Sequence, residues 1–318
     1  MDRPVSELFD QYLACSQLAE SSKDIKKRIC RYFVEVFGDI AAGQVDYAVA
    51  EDFRNWLAGR TERAVNSYIR NFRPFWAWLV KRRIIETNPF EHIRDLTIEN
   101  YQGAIFKPDE IERMIRLADL HWQVFIVLGL VGLRRGEALN LTRDDIDFEH
   151  KYIHVRGKED TESTWRWRIK NNVRRIVPLP EAIQLPDMIV PVHRLINELT
   201  DELLLSQPYV CVKPKDYVSC LQLKNECRLS YGKRVCPWGN FSRDFRRLQR
   251  RANIRPVKPF RDLRATFGTK LSETMSLTDT QKLMGHKSPQ TTAMYYVRRE
   301  GIELVQTANN IVASKFAE

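Results

Sequence analysis

Helical periodicity over most of the chain, broken by a single alternating stretch, predicts a mainly α protein with a small antiparallel β-sheet, an α+β fold in two domains. Three observations carry this. Apolar residues recur at steps of three and four over 5–81 and again beyond 107, alternation at a step of two is confined to about 152–177, and a proline-marked stretch without period separates the halves. At 318 residues the chain exceeds one typical domain. Residues 1–90 form the expected first domain, 91–104 a linker, and 105–318 a second domain ending in a tail, 301–318.

Four helices are expected over 5–81, separated by the polar breaks Ser21-Ser22, 38–43 and Gly59-Arg60. The last carries Val65, Tyr68, Ile69, Phe72, Phe75, Trp76 and Leu79 on one stripe, with arginines on its flanks and Pro74 expected to bend it. Asn88-Pro89 ends this unit. A helix then starts at Lys107-Pro108-Asp109-Glu110, where proline in the first turn and acids near the N-terminus are favourable. A buried helix over 121–133, a short one over 135–141 and a polar turn over 142–147 follow. Residues 152–156 and 165–177 alternate as two strands around a hairpin loop at 157–164, with Pro178 ending the second. Helical pattern returns near 192–205, 240–253, 262–273 and 277–284. No internal repeat is evident.

The formal charge of +10 is uneven. Residues 1–103 carry 15 basic against 15 acidic residues, and 104–318 carry 36 against 26. Within the neutral part, 60–83 holds seven basic residues and only Glu62 as an acid. Such clustering suits a polyanion, because each neutralised phosphate releases counterions. Arg63, Arg70 and Arg73 are the DNA-contact candidates there. The longest apolar stretch, 122–133, is too short to cross a bilayer, and 1–18 is interrupted by Asp2, Arg3, Glu7 and Asp10, which argues against a secretory segment. A cytoplasmic, DNA-associated protein is expected. The six cysteines include no CxxC pair. Cys211, Cys220, Cys227 and Cys236 are spaced too widely for the tight turns that present zinc ligands, so reduced thiols are expected and no metal site.

Three segments carry chemistry. Gly132-Leu133-Arg134-Arg135-Gly136-Glu137 puts an arginine where a buried helix gives way to the next. Arg261-Asp262-Leu263-Arg264-Ala265-Thr266-Phe267 sets two arginines one helical turn apart, so both can face one anion. Leu283-Met284-Gly285-His286 precedes Thr291-Thr292 and Tyr295-Tyr296. In order and spacing these segments, over about 105–300, resemble the tyrosine recombinases, the phage-type integrases that include the Xer-like resolvases. The run Lys170-Asn171-Asn172-Val173-Arg174-Arg175-Ile176-Val177-Pro178 looks like that family's lysine-to-proline strand, and Gly157-Lys158 also resembles a hairpin lysine.

The resemblance implies a helical core-binding domain and a catalytic domain closing as a C-shaped clamp on DNA. It implies an active site of Arg134, Lys170, Arg261, Arg264, His286 and Tyr295, with Glu137 orienting the arginines and Arg135 and Lys287 beside them as DNA contacts. Tyr295 is the implied nucleophile, with Tyr296 its neighbour; the link formed is a 3′-phosphotyrosine, made and resealed without metal, ATP or cofactor. A recombination site in double-stranded DNA, a homo-tetramer held through the tail, and an accessory DNA-bending protein are the implied partners. The chemistry is consistent with this. Arginine forks pair bidentately with phosphate oxygens and stay charged. A free tyrosine, with a pKa near 10, is only about 0.1% phenolate at neutral pH, so cationic surroundings must help its proton leave. Lys170 is the candidate acid for the departing 5′-oxygen. Arg261 stands where the family most often has histidine, and arginine accepts no proton, so the tyrosine's proton goes to His286 or to water. A nicking and relaxing enzyme of the topoisomerase IB kind and a catalytically silent DNA-binding protein are the competing classes.

Overall fold

Burial of one apolar face per helix builds the first unit from α1 (Val5–Ala14), α2 (Glu20–Phe37), α3 (Tyr47–Trp56) and α4 (Glu62–Lys81). The computed structural model describes residues 3–18, 20–98, 104–169, 173–203, 207–225 and 237–285, which fall into two compact units. Side-chain caps start α3 and α4: the Asp46 carboxylate accepts from the Val49 N–H of α3, and the Thr61 hydroxyl accepts from the Ala64 N–H of α4. Helix α4 runs through Pro74 and buries Val65, Ile69, Phe72, Phe75, Trp76 and Leu79. These meet Phe9, Phe33 and Phe53 in an aromatic core, with the Phe9 and Phe75 rings 5.0 Å apart and edge-on.

The segment after Asn88-Pro89 departs from expectation. Residues 90–96 are not a free linker but dock on α4. Phe90 and Ile93 are buried in the aromatic core, and Asn66 clasps Leu96, its amide donating to the Leu96 carbonyl and its carbonyl accepting the Leu96 N–H, both at 2.8 Å. Arg73 donates to the carbonyls of Phe90 and Ile93 at 2.9 and 2.7 Å. An extended strap has no ladder partner, so side chains of the neighbouring helix satisfy its backbone.

The second unit begins with α5 (Pro108–Leu117), whose Glu110 carboxylate accepts the Lys107 N–H at 2.8 Å, and continues with α6 (Leu120–Leu130) and the short α7 (Arg135–Leu139). Helix α6 is apolar on all sides and lies at the centre of the core, against α8 (Val192–Leu203) and α11 (Arg261–Thr274). Two further helices sit between those: α9 (Pro214–Asn225) and α10 (Phe241–Arg251). The last described helix is α12 (Leu277–Met284), capped by Ser276 and ended by Gly285 in the left-handed conformation. One sequence expectation misses here. Helix α9 lies between the stretches expected to be helical, 192–205 and 240–253, and it buries only Tyr217 and Cys220, too few positions to make a stripe.

The sheet is antiparallel, in the order β1 (Ile146–Asp147), β2 (Tyr152–Val155), β3 (Arg175–Pro178), and a separate hairpin joins β4 (Ile183–Leu185) to β5 (Met188–Val190). Register pairs Val155 with Arg175 and Tyr152 with Pro178. The long second strand expected over 165–177 is therefore short. Trp165, Trp167 and Ile169 do point inward, but only Trp167 pairs, in an isolated bridge with Lys158. The Trp165 N–H goes instead to the Tyr209 hydroxyl at 3.1 Å. Cys211 lies in the main core, and burial pushes its thiol well above the usual range. Cys220 belongs to a separate cluster with Trp165, Tyr209 and Tyr217; Cys227 and Cys236 lie outside the described residues.

Candidate active site

Glu137 is the hub. As the third residue of α7 it turns its carboxylate back to the start of the helix, where Oε2 accepts the Arg134 backbone N–H at 2.7 Å and Oε1 accepts Arg134 Nη1 at 2.8 Å. Arg175, the first residue of β3, forks onto the same carboxylate, with Nη1 to Oε1 at 3.0 Å and Nη2 to Oε2 at 2.6 Å. Arg264 approaches within 3.9 Å of Oε2. Three guanidiniums thus surround one carboxylate, and two of them, Arg175 and Arg264, are buried with side chains only 6% and 5% exposed. Arg134, at 29%, is the member open to solvent. Burial alone would push the Glu137 carboxyl up, but the hydrogen bonds and charge of Arg175, reinforced by the charges of Arg134 and Arg264, outweigh it and hold the group down at about 2.

Two glycines make this geometry possible. Gly132 sits at φ +101°, and a Cβ there would come within 2.8 Å of the Phe267 ring; its carbonyl accepts from Arg264 Nη1. Gly285, at φ +58°, ends α12, and a Cβ there would lie 2.8 Å from Arg175 Cδ. The end of α12 is then pinned from two sides, Met284 carbonyl accepting from Arg264 Nη2 and Gly285 carbonyl from Arg134 Nη2 at 3.3 Å. The residue that follows is His286. So the glycines of the Gly-Leu-Arg and Leu-Met-Gly-His segments leave the room in which the arginines approach the backbone.

Of the implied site residues, the structure brings together Arg134, Arg264 and Glu137. Lys170, His286, Lys287, Tyr295, Tyr296 and the tail 301–318 lie outside the described residues. Arg261 does not share the pocket depth of Arg264: its side chain is 63% exposed and lies 3.6 Å from the Asp262 carboxylate, so the two arginines of α11 are not equivalent despite their one-turn spacing. Arg175 was not singled out from the sequence. The available signal is the pair Arg174-Arg175 near the end of the alternating stretch 165–177, one of which must face inward.

The rival hairpin lysine is also in place. Lys158 is 8% exposed in its side chain, its ammonium donates to the Asp145 carboxylate, and burial lowers its pKa against the opposing pull of Asp145. It shares a small cavity with Leu133, Glu137, Asp145 and Trp167.

Among the DNA-contact candidates, Arg135 is exposed and donates to the Ser242 hydroxyl at 3.1 Å, Arg63 is exposed, and Arg70 pairs with Asp95 at 2.5 Å. Arg73 is a correction. Its guanidinium is committed to two strap carbonyls, so it holds the fold and is not offered to a phosphate. Arg73→Met is expected to lower the free energy of unfolding by about 2 kcal/mol, since two carbonyls lose their donors, with urea denaturation as the measurement. An unchanged midpoint would return Arg73 to the surface.

Residues 105–301, more than half of the chain, match the phage integrase family. The chain belongs to that family, the tyrosine recombinases. A relative named "Tyrosine recombinase XerC-like", from Caldanaerobacter subterraneus subsp. tengcongensis, is 24% identical over 283 residues, which cover 81% of this recombinase and 68% of the relative. In fold it is similar to the Tn1549 transposon integrase solved in complex with a circular intermediate DNA, with a TM-score of 0.73 at 17% identity over 97% of this chain and 99% of that one. It is also similar to lambda integrase in a tetramer bound to a Holliday junction, with a TM-score of 0.69 at 13% identity over 94% and 80%. The recombinase is thus an enzyme of site-specific DNA recombination, mainly helical with small antiparallel sheets. Among its described residues no helix is long and apolar enough to cross a membrane.

Proposed function

We propose that this recombinase integrates or excises a mobile DNA element, cutting and rejoining double-stranded DNA through a 3′-phosphotyrosyl intermediate without metal or ATP. The observation that supports it most is the cationic cluster around Glu137: one carboxylate offsets only part of the charge of Arg134, Arg175 and Arg264, and the solvent-facing member is Arg134. A phosphodiester bound at Arg134 offsets one of the two remaining positive charges, and the second favours the added charge of the phosphorane-like transition state over the ground state. Tyr295 Oη attacks phosphorus, the bond to the 5′-oxygen breaks, and that oxygen takes a proton from a hairpin lysine; the tyrosine's own proton passes to His286 or water. Arg261 contributes charge only. The phosphotyrosine conserves the free energy of the cut bond, so a 5′-hydroxyl from another strand reseals it.

Lys170 is the donor by the lysine-to-proline spacing. A second reading is favoured by a specific observation: Lys158 shares a cavity with Glu137 and has its pKa lowered by burial, which makes an ammonium a readier proton donor. The protomers assemble as a tetramer, a reading supported by the tetramer of lambda integrase on a Holliday junction, and the tail 301–318 joins them. Arg63, Arg135 and Lys287 hold backbone phosphates, and an accessory protein supplies bending where the site needs it.

Duplexes carrying the recombination site, sought as paired inverted repeats in the DNA beside the coding region and incubated with the protein in EDTA without nucleotide, are expected to yield recombinant products. A requirement for magnesium, or nicking and relaxation without exchanged strands, would refute the reading.

A further inference from the structure

The segment between β2 and β3, residues 156–174, is long for a hairpin loop, and loops of that length without secondary structure are rarely fixed. Here, nonetheless, its described part is tied down at its base, in its middle and at its tip. At the base, Lys158 and Trp167 exchange backbone hydrogen bonds at 2.8 and 3.0 Å, and a Cβ on Gly157 would lie 3.1 Å from the Trp167 carbonyl. In the middle, Trp165 stacks on Tyr209 with centroids 4.1 Å apart and planes 12° from parallel, and its indole N–H donates to Asn140 Oδ1 at 2.8 Å. Asn140 in turn donates to the Gly136 carbonyl of α7 at 2.8 Å, one residue from Glu137. At the tip, α9 supplies the clamp: the Tyr217 hydroxyl donates to the Ser163 carbonyl at 3.0 Å, and the Lys224 ammonium donates to the carbonyls of Thr161 and of Thr164, the latter at 2.8 Å, and pairs with Asp160 at 2.6 Å. None of these contacts touches the arginine cluster directly.

We propose that α9 and Tyr209 form a brace that fixes the lysine hairpin to α7, making Trp165, Tyr217 and Lys224 positioning residues that present Lys158 to the departing 5′-oxygen. This rests on the recombinase reading above and adds to it the choice of lysine and the device that holds it. The physical reason for a brace is steep: an acid must sit within hydrogen-bond reach of the leaving atom, and displacement by about 1 Å can cost about 10²-fold. An unbraced loop would spread the ammonium over many positions.

The leaving group decides the matter. A 5′-bridging sulfur leaves as a thiolate and needs no proton donor, whereas the natural 5′-oxygen does. Single-turnover cleavage of a suicide substrate is measured with each leaving group, alongside binding to the same duplex. Tyr217→Phe and Lys224→Met are expected to cut about tenfold more slowly with the oxygen substrate, to stay within about twofold of the parent with the sulfur substrate, and to bind DNA unchanged. Lys158→Ala shows the same pattern more strongly. Equal slowing on both substrates would make the brace a support for the whole site, and no slowing on oxygen would make it idle; either result overturns the proposal, as does a leaving-group-dependent loss in Lys170→Ala but not in Lys158→Ala. Tyr217→Phe removes one hydroxyl and keeps the ring, so it tests the brace without emptying the cluster. Failure of the unsubstituted protein to cleave either substrate would instead defeat the recombinase reading itself.

Discussion

Glu137→Gln is expected to cost the catalytic unit about 3–5 kcal/mol at neutral pH, because it leaves three neighbouring guanidiniums, two of them buried, without their counter-charge. The parent protein should show the same interaction as a pH dependence. With its carboxyl held at about 2 rather than the usual 4.5, Glu137 contributes about 3 kcal/mol that is fully present above about pH 4.5 and is lost as pH falls toward 2. The variant, having no carboxyl there, should lack that part of the acid sensitivity. Urea denaturation between pH 7 and pH 3, read by hydrogen exchange in peptides covering 128–140, measures both effects. A variant as stable as the parent at pH 7 would mean that the arginines find other partners and that Glu137 is not the hub. The same substitution releases the Arg134 side chain, so strand cleavage is expected to fall by about 10²-fold or more even where the fold survives.

Tyr295→Phe carries the largest expected loss of activity. A phenyl ring has no nucleophilic oxygen, and no other group in the proposed chemistry can form the link, so single-turnover cleavage should fall by at least about 10⁴-fold while DNA binding is retained. Tyr296→Phe should remain within a few-fold of the parent, since its hydroxyl is assigned no bond in the reaction. The reverse pattern, with Tyr296 indispensable, would move the nucleophile by one residue and break the spacing from His286 on which the assignment stands.

Local pattern made much of this legible. The stripe of α4, the buried α6 and the capped start of α5 each announce themselves in consecutive residues, and Arg134, Arg264 and Glu137 fall together where Gly132 and Gly285 leave room for Phe267 and Arg175. What escaped is what depends on distant partners. The strap over 90–96 has no period of its own, and its hold on α4 comes from Asn66 and Arg73, a turn or more away on another element. Residues 165–169 do alternate in burial, yet their backbone goes to Tyr209 and Lys158 rather than to a full ladder, a choice made by those distant partners and not by the stretch itself. Arg175 has no mark of its own within the run 170–178, and only the strand register turns it onto Glu137.

The most direct test of the central claim is the identity of the DNA-linked peptide. A suicide substrate carrying the recombination site is incubated with the protein in EDTA, the denaturant-resistant complex is digested with protease and nuclease, and the nucleotide-bearing peptide is sequenced by mass spectrometry. The account predicts one modified residue, Tyr295, joined to a 3′-phosphate. A link at any other residue, or efficient cleavage with no protein-linked product, would contradict it.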